Sequence, residues 1–388
     1  MSSSGWFRRL TLLALMSCHG LATAQYVVVN NGSYIANSGT LYKLNRKSGA
    51  LKKVAFLPTG GQALQLEAVY YHTEQAATDD GRCVFIFDDG TSDVASFRKS
   101  GHGYQRVGRY FNAKLIAGTY AGSLALAPNG QYLYSSYSYS GKIAGWKVNS
   151  DCSLVFLASY FDDSSLGPIK VTPNGRYLVN SSGGTYGWAA LWRIDAATGE
   201  LSNLSTVGFD TGVCTRTTVC PAQGVDITAD SKLAVFSSYA SDYYHQHWIP
   251  VALTARITPT GLANPRAWVL KESSDLRMNN FPFLGAAAYD GLGNIYFGIL
   301  GNGQGYNPGI LTAAFTEKPL KFAATNATIV QPQVGSIAIT GDLIVVAQDS
   351  QQICVFRIQK DGSLKLLSTT VDKQAGGLFS LSIFPNTR

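Results

Sequence analysis

The chain has 388 residues, a formal net charge of +7 and 46% hydrophobic residues. Its Lys and Arg residues are spread mostly over turns and form no run or stripe, which argues against nucleic acid as a partner. No segment after residue 24 is both long and uncharged enough to cross a bilayer, so we expect no transmembrane segment.

The N-terminus has the order of a secretory signal peptide. Arg8-Arg9 precedes an apolar run at residues 10–16, and Ala22-Thr23-Ala24 provides a small-residue cleavage site. Cleavage there leaves residues 25–388, which we expect to form a single secreted or periplasmic domain. In the alternative, a lipoprotein signal ends at Cys18 and this cysteine carries the anchor.

The segment from Gly122 to Tyr160 contains four strand patterns separated by three turns. Period-2 alternation and frequent Val, Ile, Tyr and Phe continue through the chain, which predicts strands and almost no helix. A glycine between a third and a fourth strand pattern recurs at Gly49, Gly101, Gly199, Gly261 and Gly362. From Gly49 to Gly362 there are 313 residues, and dividing them into six blade steps gives a repeat of about 52 residues, which predicts seven repeats of a four-stranded propeller blade.

The predicted inner strands lie at corresponding positions of the repeat. Inner strands are predicted to begin at Leu66, Ser123, Pro168, Gly224, Gly285 and Gly335. The N-terminal blade begins directly with a second-strand pattern, YVVVNN, and we expect Gly377 to Pro385 to supply its inner strand. The prediction is an all-β, seven-bladed β-propeller of four-stranded antiparallel blades, closed by its C-terminal strand in the N-terminal blade.

Two repeats carry a sequence resemblance. APNGQYLY, from Ala127, and TPNGRYLV, from Thr172, resemble the repeats of lactonase-type seven-bladed propellers, which include relatives of 6-phosphogluconolactonase and of the fungal carboxymuconate cycloisomerase. The resemblance implies lactonase-like activity in a central funnel. Members of that family often carry an Arg-His pair before the turn, but the corresponding positions here hold Gly122-Ser123 and Gly167-Pro168. A cationic cradle for a phosphorylated lactone is therefore not expected.

The cysteines of the mature chain fall into two groups. Cys214 and Cys220 bracket a short loop, and an oxidising compartment favours a disulfide between them, with a zinc pair as the alternative. Cys83 and Cys354 begin apolar strands and are interpreted as small buried residues. Cys152 lies at a hairpin turn. Because the number is odd, at least one thiol stays free.

Two short motifs could hold a metal ion. His245 and His247 are two residues apart and would share a strand face, although stacked or solvated loop histidines have the same pattern. Asp88, Asp89 and Asp93 could hold calcium, but turn formation alone explains Asp and Gly there. We therefore assign no metal and no cofactor from the sequence.

Aromatic residues recur in the loops between the second and third strands of blades three to five. They could form a wall that stacks on a sugar, a cyclic acid or a partner side chain, or they could pack between blades. The set comprises Tyr137, Tyr139, Tyr186, Trp188, Tyr239, Tyr243, Tyr244 and Trp248.

Two charged residues occupy inner-strand positions. Lys170 and Asp226 share a register in blades four and five where other blades have Ala125, Ala338 and Ser382. Buried charge is costly unless it is paired, so one hypothesis is a structural ion pair near the channel. The other is an acid/base pair with perturbed pKa values.

These residues support two functional hypotheses. The first is an exported lactonase-like propeller, with Asp226 or Glu67 as the base and Lys170, His245 or Arg277 stabilising the oxyanion. The second is a non-catalytic scaffold whose loop aromatics bind a glycan, cell-wall material or a protein. In both cases we expect a monomer with a small-molecule or glycan ligand.

Overall fold

A computed structural model describes residues 25–33, 35–63, 74–111, 122–137, 140–161, 166–182, 187–210, 213–214, 218–242, 248–270, 283–300, 309–317, 320–329, 334–348, 351–374 and 380–385. These residues form seven antiparallel sheets, the blades of a propeller. The described ranges contain no helix long and apolar enough to cross a membrane.

The first four blades are numbered along the chain. Blade 1 contains β1 (Gln25–Asn30), β2 (Ser38–Leu44) and β3 (Leu51–Pro58); blade 2 contains β4 (Gln75–Ala77), β5 (Cys83–Asp88), β6 (Asp93–Ser100) and β7 (Gly103–Tyr110). Blade 3 contains β8 (Leu124–Leu126), β9 (Tyr132–Tyr137), β10 (Lys142–Val148) and β11 (Leu154–Phe161); blade 4 contains β12 (Leu166–Val171), β13 (Tyr177–Ser182), β14 (Trp188–Ile194) and β15 (Leu201–Gly208).

The remaining blades complete the ring. Blade 5 contains β16 (Thr218–Val219), β17 (Gly224–Ile227), β18 (Leu233–Asp242), β19 (Trp248–Thr258) and β20 (Gly261–Val269); blade 6 contains β21 (Phe283–Tyr289), β22 (Asn294–Leu300), β23 (Gly309–Glu317) and β24 (Leu320–Ile329). Blade 7 contains β25 (Val334–Thr340), β26 (Leu343–Gln348), β27 (Gln352–Ile358) and β28 (Leu364–Val371); the last strand, β29 (Ser380–Phe384), belongs to blade 1.

The C-terminal strand closes the ring. β29 pairs antiparallel with β1, so that Ser382 lies opposite Val28, and the Phe384 ring stacks on Tyr26 with 5.5 Å between centroids. β29 also contacts β25 and β4, the inner strands on either side. The prediction of ring closure by the C-terminal strand is confirmed.

A shared turn sets the register between the first and second strands. In blades 2 to 5 the first turn residue donates its backbone N–H to the carbonyl five positions on, as Thr172 does to Tyr177 at 2.8 Å. In blade 2 this residue is Thr78, and Asp80 accepts from its hydroxyl at 2.6 Å. The inner strand paired with β5 is therefore Gln75–Ala77. The prediction that it begins at Leu66 was wrong, and Leu66 itself lies outside the described residues.

Every blade has a β-bulge between its third and fourth strands. The pairing register shifts at the same level in all seven sheets, and the extra residue on the fourth strand is Val54 in blade 1, Val107 in blade 2 and Leu367 in blade 7. A bulge disrupts the hydrogen-bonding row of an exposed edge strand. The outer rim is therefore poorly suited to pairing with another strand.

The hydrophobic core lies between blades. Trp146 and Trp192 are buried on the third strands, and their indole N–H groups donate to Ser135 and Asn180 at 3.0 and 2.7 Å. Phe356 is buried at the corresponding position of blade 7. These three aromatics recur in the third-strand patterns of the sequence, which predicts packing between blades, and their burial confirms this prediction.

A disulfide joins Cys83 of blade 2 to Cys152 of blade 3. Cys83 is buried, as interpreted from the sequence, whereas its disulfide to Cys152 was not predicted. Cys152 has φ +69° and occupies the turn position where blade 7 has Gly362, at φ +79°. In the next pair of blades, Tyr132 begins the second strand as Cys83 does and donates its hydroxyl to Ala197 in the following hairpin at 2.6 Å. The disulfide thus replaces a polar contact between blades. Cys354 is buried and free.

Deleting residues from Gly377 to the C-terminus should lower the melting temperature or cause aggregation. The deletion removes β29 and leaves β1 without its inner neighbour, which exposes a sheet edge. Differential scanning calorimetry would measure the change, with deletion of only residues 386–388 as the control. Equal melting of both truncated proteins would contradict ring closure by β29.

A Cys83→Ala/Cys152→Ala variant should lose more stability than a Cys214→Ala/Cys220→Ala variant. The sequence separations are 69 and 6 residues, and the chain-entropy relation gives about 4 and about 2 kcal/mol respectively. Urea unfolding without reductant would compare the two. The opposite order would show that the blade 2–blade 3 disulfide is not a main stabilising link.

Candidate functional site

The inner strands surround a central channel. Each contacts its neighbours in turn, from β29 through β4, β8, β12, β17, β21 and β25 and back to β29. A cavity of about 380 Å³ lies at the channel end that the turns to the second strands border. Its polar lining side chains are Gln75, Thr78, Asp79, Lys170, Asp226 and Ser382.

Lys170 and Asp226 form an ion pair across two blades. The Lys170 ammonium lies 3.1 Å from Asp226 Oδ1, and Asp226 Oδ2 accepts the backbone N–H of Tyr289 at 2.8 Å. Asp226 is buried, whereas about a third (35%) of the Lys170 side chain remains exposed. This aspartate therefore connects β12, β17 and β21, and the geometry is that of the structural-ion-pair hypothesis.

Glu74, which immediately precedes β4, lies near the other end of the channel. Its Oε2 accepts from the Asn30 amide at 2.8 Å and from the Ser380 hydroxyl at 3.4 Å. The next residue, Gln75, lines the cavity and accepts a hydrogen bond from Ser380. Two strands of blade 1, β1 and β29, therefore hold this carboxyl in place.

The surroundings of Glu74 disfavour its ionised form. Burial raises the pKa of Glu74 well above its usual value, and repulsion by Asp89 and Asp88 raises it further. Hydrogen bonds from Ser380 and Asn30 oppose the shift but are the smaller effect. A carboxyl with a raised pKa at the end of a channel is a candidate for proton transfer, because its ionised form is a stronger base than an ordinary carboxylate.

Asp88 is a second carboxyl with a raised pKa. Its Oδ1 accepts from the Asn37 amide at 2.8 Å. Burial, together with repulsion by Asp93, raises the pKa of Asp88 to about 7. Asp93 itself receives two hydrogen bonds from Arg109, at 2.6 and 2.7 Å. Asp88 and Asp93, two of the three residues considered as calcium ligands, thus have protein partners, and no group of three acidic, His or Cys residues in the described ranges has metal-binding geometry.

Of the described aromatic residues proposed to form a wall, one is buried in the core and two are half-buried. Tyr137 is buried, with its ring 5.5 Å from that of Phe87, so it packs between blades rather than facing a ligand. Trp188 is half-buried at the start of β14. Tyr239 is also half-buried.

Several predicted site residues lie outside the described ranges. They are Glu67, Tyr139, Tyr186, Tyr243, Tyr244, His245, His247 and Arg277. Their roles stay predictions. The disulfide predicted between Cys214 and Cys220 is present, and both cysteines are buried against the core of blade 5.

Sequence analysis missed Glu74 because it placed the inner strand of blade 2 too early. The signal was the turn Thr78-Asp79-Asp80-Gly81, in which Asp80 replaces the asparagine of Thr172-Pro173-Asn174-Gly175. Both side chains accept a hydrogen bond from the threonine hydroxyl. Aligning these turns would have placed Glu74 at the start of the channel strand.

Fold and channel together define a seven-bladed propeller whose inner strands surround a central channel. No protein-family model matches the chain, and no curated protein matches it. A periplasmic gluconolactonase from Pseudomonas aeruginosa is 16% identical, with a TM-score of 0.62 over 93% of this chain and 99% of that one. Two Bacteroides proteins provisionally named 6-phosphogluconolactonases are also similar. The B. fragilis protein is 13% identical (TM-score 0.65, 94% and 99% covered) and the B. uniformis protein 11% (0.67, 93% and 99%). At these identities the likeness shows the fold.

Lys170→Met should destabilise the protein more than Lys232→Met. Removing Lys170 leaves the buried Asp226 carboxylate without its cation, whereas Lys232 pairs with Asp230 on the surface. Because Lys170 is partly exposed, we expect a loss below the roughly 3–5 kcal/mol of a fully buried pair, but above the roughly 1 kcal/mol upper value for a surface pair. Urea unfolding would measure both; equal losses would show that Lys170 is not a structural partner.

Proposed function

We propose that the protein is an exported hydrolase that opens a small, uncharged lactone in the central channel, with Glu74 as the general base. The observation that carries this proposal is the position of the Glu74 carboxyl. It is half-buried beside the channel strand β4, is held by Asn30 and Ser380, and has a raised pKa.

Ring opening requires one proton to move twice. Ionised Glu74 would take a proton from water as the water attacks the lactone carbonyl, and would return it to the ring oxygen as the carbonyl–oxygen bond breaks. The product is a hydroxy acid. A carboxyl with a raised pKa is suited to both steps, because its ionised form accepts a proton more readily than an ordinary carboxylate and its protonated form then donates that proton.

The channel also offers groups that can bind oxygen atoms. β4 and β8 end their sheets, so one row of their backbone groups faces the channel. Lys170 lines the cavity at the opposite end of the channel from Glu74, and its exposed part would bind an oxygen on the far side of a substrate that spans this distance, while Asp226 positions the ammonium. The cavity volume lies within the roughly 300–1,000 Å³ typical of small-molecule sites.

The charge near the channel favours an uncharged substrate. Lys170 is neutralised by Asp226, and Asp79 adds a carboxylate to the cavity lining. Glu74 and Asp88 add acidic groups that a phosphate would repel. Similarity to a periplasmic gluconolactonase supports the same substrate class. That similarity, the signal sequence and the two disulfides support a location outside the cytoplasm.

The second candidate function is non-catalytic binding of a glycan or of cell-wall material. Trp188 supports it, because this residue keeps part of its surface exposed at the start of β14 and could stack on a sugar ring. Glycan binding without turnover of any lactone would favour this candidate.

Glu74→Gln should lower kcat/KM for an uncharged sugar lactone by roughly 10²–10⁴-fold, the usual contribution of general acid–base catalysis. In the wild type, kcat/KM should rise with pH through the raised pKa of Glu74, because the base must be ionised. The Gln variant should lose this rise.

Two matched variants accompany that measurement. Glu200→Gln, on an exposed hairpin of blade 4, should leave activity unchanged. Glu67→Gln tests the carboxylate that sequence analysis nominated. Loss of activity with Glu67→Gln, but not with Glu74→Gln, would assign the base to Glu67 and refute the proposal.

A further inference from the structure

The outer strands of three consecutive blades concentrate positive charge. β28, β3 and β7 together contain five basic residues and no acidic one; the basic residues are Lys365, Lys52, Lys53, Arg106 and Arg109. By contrast, β11 and β15 contain no charged residue, and β20 and β24 contain one basic residue each. β3 and β7 thus carry two basic residues each, more than any other outer strand.

The same three blades expose apolar side chains. Phe56 of β3 is 43% exposed, and Phe111, which follows β7, is 53% exposed. Leu366 and Val371 of β28 are exposed to a similar extent. Exposed apolar residues grouped in this way mark interaction sites on otherwise polar surfaces.

Direct contacts join the three strands into one surface, which we name the 7–1–2 rim. Ser368 of β28 donates to the Gly49 carbonyl at 2.7 Å, and Arg106 of β7 donates to the Thr59 carbonyl at 2.8 Å. Lys53 donates to Gln374 and lies 5.3 Å from the Phe56 ring centroid. Polar contacts thus connect the three blades, and Lys53 lies beside an exposed aromatic ring of its own strand.

Most of this charge is not neutralised within the protein. Arg109 pairs with the buried Asp93. Within the described residues, Lys52, Arg106 and Lys365 take part in no salt bridge, and all three are exposed. Segment 25–63, which contains blade 1 up to β3, has five basic residues and no acidic one. The rim is therefore complementary to a negatively charged surface.

We propose that the 7–1–2 rim docks on a lipid bilayer that contains anionic phospholipid. Basic residues beside exposed Phe, Leu and Val suit the bilayer interface, where lysines meet headgroups while apolar side chains enter the acyl boundary. A soluble polyanion would use the charges but not the apolar groups. A partner protein that paired a β-strand with β3, β7 or β28 would meet the bulges at Val54, Val107 and Leu367, which interrupt the hydrogen-bonding row of each edge strand.

Vesicle co-sedimentation tests the proposal. The full-length mature protein should bind vesicles of phosphatidylcholine with phosphatidylglycerol, and should bind pure phosphatidylcholine vesicles much less. Lys52→Gln/Lys365→Gln should weaken binding to the anionic vesicles roughly thirty-fold, since a lysine near an anionic surface contributes about fivefold. Phe56→Ser/Phe111→Ser should also weaken this binding.

Lys147→Gln/Arg176→Gln provides the matched control, because it removes the same charge from exposed positions on blades 3 and 4. The control should bind as the wild type does. Equal binding by the lysine variant and this control, or no binding by the wild type, would overturn the proposal. Vesicle binding that Phe56→Ser/Phe111→Ser leaves unchanged would also overturn the proposal, because it indicates a polyanion site. A dimer that the same variant dissociates would overturn it as well, because the rim would then contact a second copy of the chain.

Discussion

The pairing of β29 with β1 is the constraint on which the rest of the structure depends. Seven sheets can share one channel only if the last inner strand meets the first blade, and here five C-terminal residues complete that blade. Ring closure leaves no inner strand without two neighbours. It also places Ser380, at the start of β29, against Glu74 of blade 2. The joint that closes the fold therefore also builds one side of the candidate site.

Successive blades also contact each other through the start of a second strand and the outer hairpin of the next blade. Tyr132, for example, lies beside Ala197. Cys83 and Cys152 occupy this contact between blades 2 and 3, so a covalent bond takes the place of a hydrogen bond. Because the same contact site recurs around the ring, a disulfide can form there without any change in blade geometry.

The sequence predicted repeat number, ring closure and buried aromatics because each follows from a local pattern. No inner-strand pattern was recognised before the second-strand pattern YVVVNN, and Trp146 and Trp192 recur at one position of the repeat. The Cys83–Cys152 bond was not predictable from spacing, because its partners meet only through the packing of two blades. Glu74 was missed through one unrecognised turn. The shared register of Lys170 and Asp226 was visible in the sequence, but the Tyr289 amide that completes the pair was not.

The carboxyl groups of Asp226 and Glu74 differ in how the protein offsets the energetic cost of burying them. Asp226 has a cation and a backbone N–H, so its ionised form is stabilised and the pair connects three blades. Among the residues that the structure describes, the side-chain donors to Glu74 are the neutral Asn30 and Ser380, and its charged neighbours are Asp88 and Asp89. That arrangement stabilises the protonated form, which a purely structural carboxylate does not need. The channel therefore combines a fully compensated aspartate on one side with a glutamate of raised pKa on another, and the proposed base catalysis rests on this difference.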